Sequence, residues 1–139
     1  MATIKSFEDL EIWQKAQQLS ADIYLLAEQN QKISKDFSFK DQIKRAVLSI
    51  SNNIAEGFEY SNNNDFIKFL RYAKGSTGEV RNCLLFAAKV NFVLKDDVQS
   101  LIDFSNSLGA QIGNLIKYLK QKRDAMVATH NPQPPTHNS

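Results

Sequence analysis

The side chains with the most scope for chemistry are cations. Lys68, Arg71, Lys74 and Arg81 recur at steps of three and seven residues. On a helix that spacing lines them along one side, where they would neutralise successive phosphates of a nucleic acid. Lys44 and Arg45, in the preceding apolar-patterned segment, would add to such a surface. The same cations serve equally as a solvated face with Asp65 and Glu79 as partners, and the sequence leaves both readings open. A further cluster, Lys117, Lys120, Lys122 and Arg123, closes the last patterned segment, where cations also meet the negative end of a helix dipole.

Asn52, Asn53 and Glu56 interleave with Ile50, Ile54 and Gly57. Asn53 and Glu56, three apart, fall at the edge of the face that must be buried, and a buried amide or carboxylate is costly without a hydrogen-bond partner. Ser76, Glu79 and Arg45 are the candidate partners. The expectation is a structural polar network of Asn53, Glu56, Ser76 and Glu79 that fixes helix register or a subunit contact, in preference to a catalytic site. Imidazole catalysis needs a histidine held beside a nucleophile, yet His130 and His137 both fall in the polar, Pro-rich end of the chain. Cys83 has neither a neighbouring histidine nor a CxxC partner and reads as a packing residue. No Glu-x-x-His pair, P-loop, GxGxxG turn or zinc-ligand spacing occurs. These readings together predict no enzyme, no metal and no cofactor.

The elements that must position these residues are helices. All three Pro lie in the last eight residues, so no proline ring interrupts the chain before them. Ile12, Ala16, Leu19, Ile23 and Leu26 alternate at four and three residues, predicting a helix that starts near Phe7 with Ser6 and Asp9 as its capping pair. A second helix is predicted over 39–58, with Ser38 as N-cap, Asp41 facing Arg45, and a stripe of Ile43, Val47, Ile50 and Ile54. The asparagines at 62–64 predict the start of a third helix, reaching about residue 94. Its stripe is Phe66, Phe69, Leu70, Ala73, Thr77, Val80, Leu84 and Ala87. Gly75 and Gly78 inside it would weaken it, so close approach of a neighbouring backbone is expected there. A fourth helix opens near Asp96 and Gln99 and carries Val98, Leu101, Ser105, Leu108, Ile112, Leu115 and Leu119. Phe58, Tyr60, Phe69, Tyr72 and Phe86 cannot all fit one stripe, so some must face outward, which predicts a homo-oligomer.

The predicted architecture is all-α: an antiparallel up-down-up-down four-helix bundle over residues 1–124, followed by a disordered C-terminal tail over 125–139. At 139 residues, one core suffices. The net charge of +2 is unevenly spread, with 2 basic and 5 acidic residues in 1–31 against 11 and 6 in 32–95. The middle of the chain is therefore its basic part. A single cysteine, no apolar leader and no apolar run of membrane-spanning length predict a cytoplasmic protein with no membrane partner.

Four runs of residues carry a family resemblance when taken in order. They are Phe7-Glu8-Asp9-Leu10-Glu11-Ile12-Trp13, Gln42-Ile43-Lys44-Arg45-Ala46, Ser49-Ile50-Ser51-Asn52-Asn53-Ile54-Ala55-Glu56-Gly57, and Phe69-Leu70-Arg71-Tyr72-Ala73-Lys74-Gly75-Ser76 followed by Glu79. Over roughly residues 5–120 they resemble the bacterial intervening-sequence proteins, whose members are encoded within insertions in large-subunit ribosomal RNA genes. The resemblance implies a four-helix bundle assembled as a ring-shaped homopentamer with no established enzymatic activity. That family is similar in architecture to the accessory variability proteins of diversity-generating retroelements, basic pentameric barrels that bind nucleic acid and a reverse transcriptase. The combined expectation is a homo-oligomeric scaffold that associates with RNA, or with DNA, through Lys44, Arg45, Lys68, Arg71, Lys74 and Arg81. The alternative is a protein-interaction module with no nucleic-acid role.

Overall fold

A computed structural model describes residues 3–130, without the side chains of 129 and 130, and every regular element in it is helical. After a short 3-10 turn at Phe7–Asp9 come α1 (Glu11–Gln29), α2 (Gln31–Lys35), α3 (Phe37–Glu59), α4 (Asn63–Lys89) and α5 (Lys95–His130). The four long helices form a bundle. No helix among the described residues is long and apolar enough to cross a membrane.

Ser6 and Asp9 do act together, but they cap the start of the 3-10 turn rather than that of α1. The Asp9 carboxylate accepts the backbone N–H groups of Lys5 and Ser6 at 2.9 and 3.1 Å, and Leu10 is extended before α1 begins. The second long helix starts earlier than its sequence signal. Asp36, not Ser38, is its N-cap, accepting the Phe39 N–H at 3.0 Å. Between them lies α2, which the hydrophobic period gave no reason to expect because it buries one large side chain, Ile33. Asn30 explains its position: the side chain caps α2 through the Ile33 N–H at 2.9 Å and donates to the Phe92 carbonyl at 2.9 Å, tying this corner to the α4–α5 connection. Asn62 caps α4 by accepting the Asp65 N–H at 2.9 Å.

The pairings show the direction of packing. Ser20 donates to the Val47 carbonyl and Gln17 to Ser51, so position falls along α3 as it rises along α1. From α4 to α5 the partners run Asn64 with Arg123, Lys74 with Gly113, Thr77 with Gly109 and Arg81 with Asn106. Neighbouring long helices are therefore antiparallel. The core is drawn from all four, including Leu19, Ile23, Ile50, Ile54, Leu70, Leu84, Leu108 and Ile112, each essentially without solvent exposure. Each such side chain contributes about 1.5–3 kcal/mol through burial.

Close helix approach occurs at glycines, though not at those expected. A Cβ on Gly75 or Gly78 would meet nothing within 4 Å. On Gly57 it would lie 2.7 Å from the Phe69 Cβ, and on Gly109 2.6 Å from the Thr77 hydroxyl. The α3–α4 and α4–α5 seams close at these two positions, while Gly75 faces outward from α4 and Gly78 lines the α4–α5 groove with open space where a Cβ would stand.

The C-terminal boundary also needs correction. Helix α5 spans 36 residues, about 54 Å, and continues through residues 125–130, which the loss of hydrophobic period had assigned to the tail. Period reports burial against a neighbour, and Asp124, Ala125, Met126 and Val127 are simply an exposed stretch that can stay helical. His130 is the last residue of α5. His137 and the rest of the expected tail, 131–139, lie outside the described residues.

Candidate nucleic-acid interface

The six cations singled out in the sequence do not form one surface. Lys44 points from α3 to α1, where its ammonium binds the Glu28 carboxylate and sits 4.8 Å from the centroid of the Tyr24 ring. That ammonium, with Lys40 adding to its field, holds Glu28 below the usual carboxylate range. Arg45 pairs within its own helix, its Nε 2.8 Å from Asp41.

The α4 cations behave differently. Lys74 lays its aliphatic stem over Gly113 of α5, its Cε 3.0 Å from where a Cβ would stand. Arg81 donates to the Asn106 side-chain oxygen at 2.6 Å. These two line a small groove of about 190 Å³ with Thr77 and Gly109. Arg71 is exposed one turn from Lys74, and the Lys68 ammonium stands 5.5 Å from the Phe69 ring centroid.

The antiparallel register adds residues that the sequence did not connect. With Gly113 against Lys74 and Arg123 against Asn64, Lys117 and Lys120 of α5 fall level with the Arg71–Lys68 stretch. Asn106, Gly113, Lys117 and Lys120 follow helical spacing along one side of α5. Charge spacing had assigned Lys117 and Lys120 only a place at a helix end. Their proximity to the α4 cations follows from Gly109 and Gly113, which let the two helices close. Among the described residues, ion pairs join Lys15 to Glu11, Lys44 to Glu28, Arg45 to Asp41 and Arg123 to Asp124. None involves Lys68, Arg71, Lys74, Arg81, Lys117 or Lys120.

The polar set is divided as well. Asn53 donates to the Ser49 carbonyl of its own helix at 2.8 Å, and Glu56 is exposed, away from the buried edge assigned to it. The link between α3 and α4 runs through two other residues: Ser49 donates to Ser76 at 2.6 Å, and Gln42 to Glu79 at 2.6 Å. Ser76 and Glu79 therefore do join helices, but with Ser49 and Gln42. A small hydroxyl at an interhelical position is the signal that could have shown this. Cys83 is buried, and burial together with the Glu79 charge raises its thiol above the ordinary range, leaving it protonated at neutral pH. Among the described residues no three His, Cys, Asp or Glu side chains stand close enough to hold a metal ion.

The family model described as 23S rRNA-intervening sequence protein matches residues 8–114. No curated protein matches the chain. Among solved structures, a protein of unknown function from the S23 ribosomal protein family of Bacteroides thetaiotaomicron is similar, with a TM-score of 0.69 and 23% identity. The match covers 76% of this chain and 98% of that one, which establishes a shared fold. Neither description carries a catalytic activity.

Proposed function

The chain belongs to the 23S rRNA-intervening sequence protein family, and we propose that it is a non-catalytic scaffold that neutralises RNA phosphates along the α4–α5 seam. The observation that carries this reading is the set of six cations there, Lys68, Arg71, Lys74, Arg81, Lys117 and Lys120, none of which is ion-paired to a carboxylate among the described residues. Lys68 to Arg81 extends about 20 Å along the helix axis, room for roughly six phosphates of one duplex strand. The basic character of residues 32–95 and the family's tie to ribosomal RNA support RNA over other polyanions. Lys44 and Arg45, each held by a carboxylate, contribute little.

The scaffold assembles with further copies of itself, five in the ring that the family resemblance implies. Its contact is the α1–α3 flank, where Tyr24 and Leu48 line an apolar groove with Ala21 and where Leu25 is exposed. That leaves the cationic seam on the outside.

The test is fluorescence anisotropy with a structured RNA, using protein freed of co-purifying nucleic acid, at about 50 and 200 mM salt. Affinity falls by on the order of a hundredfold between them if about four cations are engaged. Arg71→Ala with Lys74→Ala lowers the slope of log affinity on log salt by about 2. Absence of binding at low salt, with a protein partner retained at high salt, would sink the reading in favour of a protein-interaction module.

A further inference from the structure

On α4, bordering the seam at Lys68, lies an aromatic surface that neither the core nor the proposed α1–α3 contact uses. The Tyr60 ring lies flat on Phe69, with centroids 5.3 Å apart and planes 7° from parallel. Tyr72 meets Phe69 edge-on at 5.7 Å. Both tyrosines are 52% exposed, so this is a packed aromatic set with open ring faces, not a loose collection of rings. Cations adjoin it. Lys68 stands over Phe69 at 5.5 Å and shares a helix face with Tyr72 one turn on, and Arg71 is exposed one turn from Lys68, toward the seam.

We infer that Tyr60 and Tyr72 form a stacking platform for unpaired bases of an RNA strand whose phosphates pass over Lys68 and Arg71. This inference rests on the RNA reading above and narrows it to single-stranded or looped RNA. Bases in a duplex have no free π-face, whereas an unpaired base stacks on any exposed aromatic ring, and the phosphate that follows it needs a cation nearby. Tyr72 with Lys68 and Arg71 supplies both on one helix. The exposed apolar groove at Tyr24 and Leu48 has its cation, Lys44, already bound to Glu28 and offers no such pairing. Phe69 acts as support, holding Tyr60 flat and Tyr72 on edge, so the platform is ordered before a strand arrives.

The measurement is the affinity of the full chain for a single-stranded RNA of about 12 nucleotides and for a duplex of the same sequence at one salt concentration. The wild type prefers the single strand. Tyr60→Leu and Tyr72→Leu each weaken single-strand binding about fivefold or more and leave duplex binding unchanged. Tyr72→Phe, which keeps the ring, retains the preference and serves as the check against a folding defect. Salt-dependent binding that is indifferent to strandedness, or unmoved by both leucine variants, overturns the platform and leaves the cationic seam standing. A change in assembly mass in the leucine variants, with strand preference intact, assigns the patch to a second copy of the chain and also overturns it. Binding to neither RNA removes the RNA reading itself, and the platform with it.

Discussion

The α1–α3 and α4–α5 sides of the bundle use cations in opposite ways. On the first, Lys44 is clamped between Glu28 and Tyr24 and Arg45 is held by Asp41, so the charge of each is largely cancelled where it stands. On the second, Arg81 donates to a neutral amide, Lys74 lays its stem over Gly113, and among the described residues Arg71, Lys74, Arg81, Lys117 and Lys120 form no ion pair. A count of charges along the chain treats the two groups alike. What separates them is whether an acidic residue occupies the facing position, which is a property of helix register. The net charge of +2 therefore understates the field on one side and overstates it on the other.

The largest test of that contrast is charge reversal. Lys117→Glu with Lys120→Glu removes two cations from the α5 half of the seam and places two anions level with the Arg71–Lys68 stretch. The slope of log RNA affinity on log salt should fall by at least about 2. Replacing Lys44 and Arg45 by Ala should leave the slope within experimental scatter, because both are already neutralised. Equal effects from the two pairs, measured by anisotropy over a salt series, would abolish the distinction between the sides.

A second test concerns the glycines that bring α5 against α4. Gly109→Ala pushes a methyl into the Thr77 hydroxyl, which donates to the Lys74 carbonyl and has little room to move. Overpacking of this kind costs about 1–3 kcal/mol, against which Ala recovers only about 0.5–1 kcal/mol of helix propensity. Gly57→Ala meets Phe69 in the same way at the α3–α4 seam. Gly75→Ala should instead stabilise by about 0.5–1 kcal/mol, since nothing stands within 4 Å and only the propensity gain remains. Urea denaturation of the three variants checks the sign of each. Destabilisation by Gly75→Ala would mean that α4 is packed on its outer face after all, as it would be in a subunit contact there.

These glycines also mark how far the sequence could be read. The all-helical fold and four long amphipathic stripes were legible because burial enforces a period, and residues such as Ile12, Leu19, Ile50, Leu70 and Leu108 are fully or nearly fully buried. Which glycine touches a neighbour was not legible, because period identifies a face and not the partner lying across it. Gly75 and Gly78 carry the same local cost as Gly109, yet a Cβ on either would meet nothing within 4 Å. The same limit applies to the polar link. Ser76 and Glu79 join the helices through Ser49 and Gln42, which depends on the α3–α4 register, whereas Glu56 lies one position too far around α3 to be buried. Helix ends were misread where a cap competed with another cap, as Asp36 did with Ser38, or where a helix outran its packing, as α5 does beyond Asp124.

A smaller change converts one side toward the other. Asn106→Asp would give Arg81 a carboxylate in place of the amide oxygen that now accepts its hydrogen bond at 2.6 Å. Such a pair near the surface stabilises by about 0.2–1 kcal/mol, and it should lower the salt slope of RNA binding by about 1. Raised thermal stability with a reduced slope is the expected combination. An unchanged slope would show that Arg81 is not among the cations that reach phosphate.

The smallest effect comes from the reverse operation, Glu28→Gln, which frees Lys44 on the side where cations are cancelled. Glu28 is exposed and its pKa is lowered chiefly by the hydrogen bond and charge of Lys44, then by Lys40. A carboxylate with a lower pKa in the folded state than in the unfolded chain stabilises the fold at pH values above the unfolded value of about 4.3. That contribution disappears as pH falls through the folded value. The wild type should therefore melt slightly above Glu28→Gln at neutral pH, and the gap should close as pH is lowered from about 5 toward 3. A gap independent of pH would show that the substitution acts through packing rather than through the pair. The same variant bears on binding. With its carboxylate gone, Lys44 still faces Tyr24 and stays on the α1–α3 flank, away from the seam. If phosphate binding depends on where the unpaired cations lie, and not merely on how many there are, freeing Lys44 should leave the salt slope for RNA where it was.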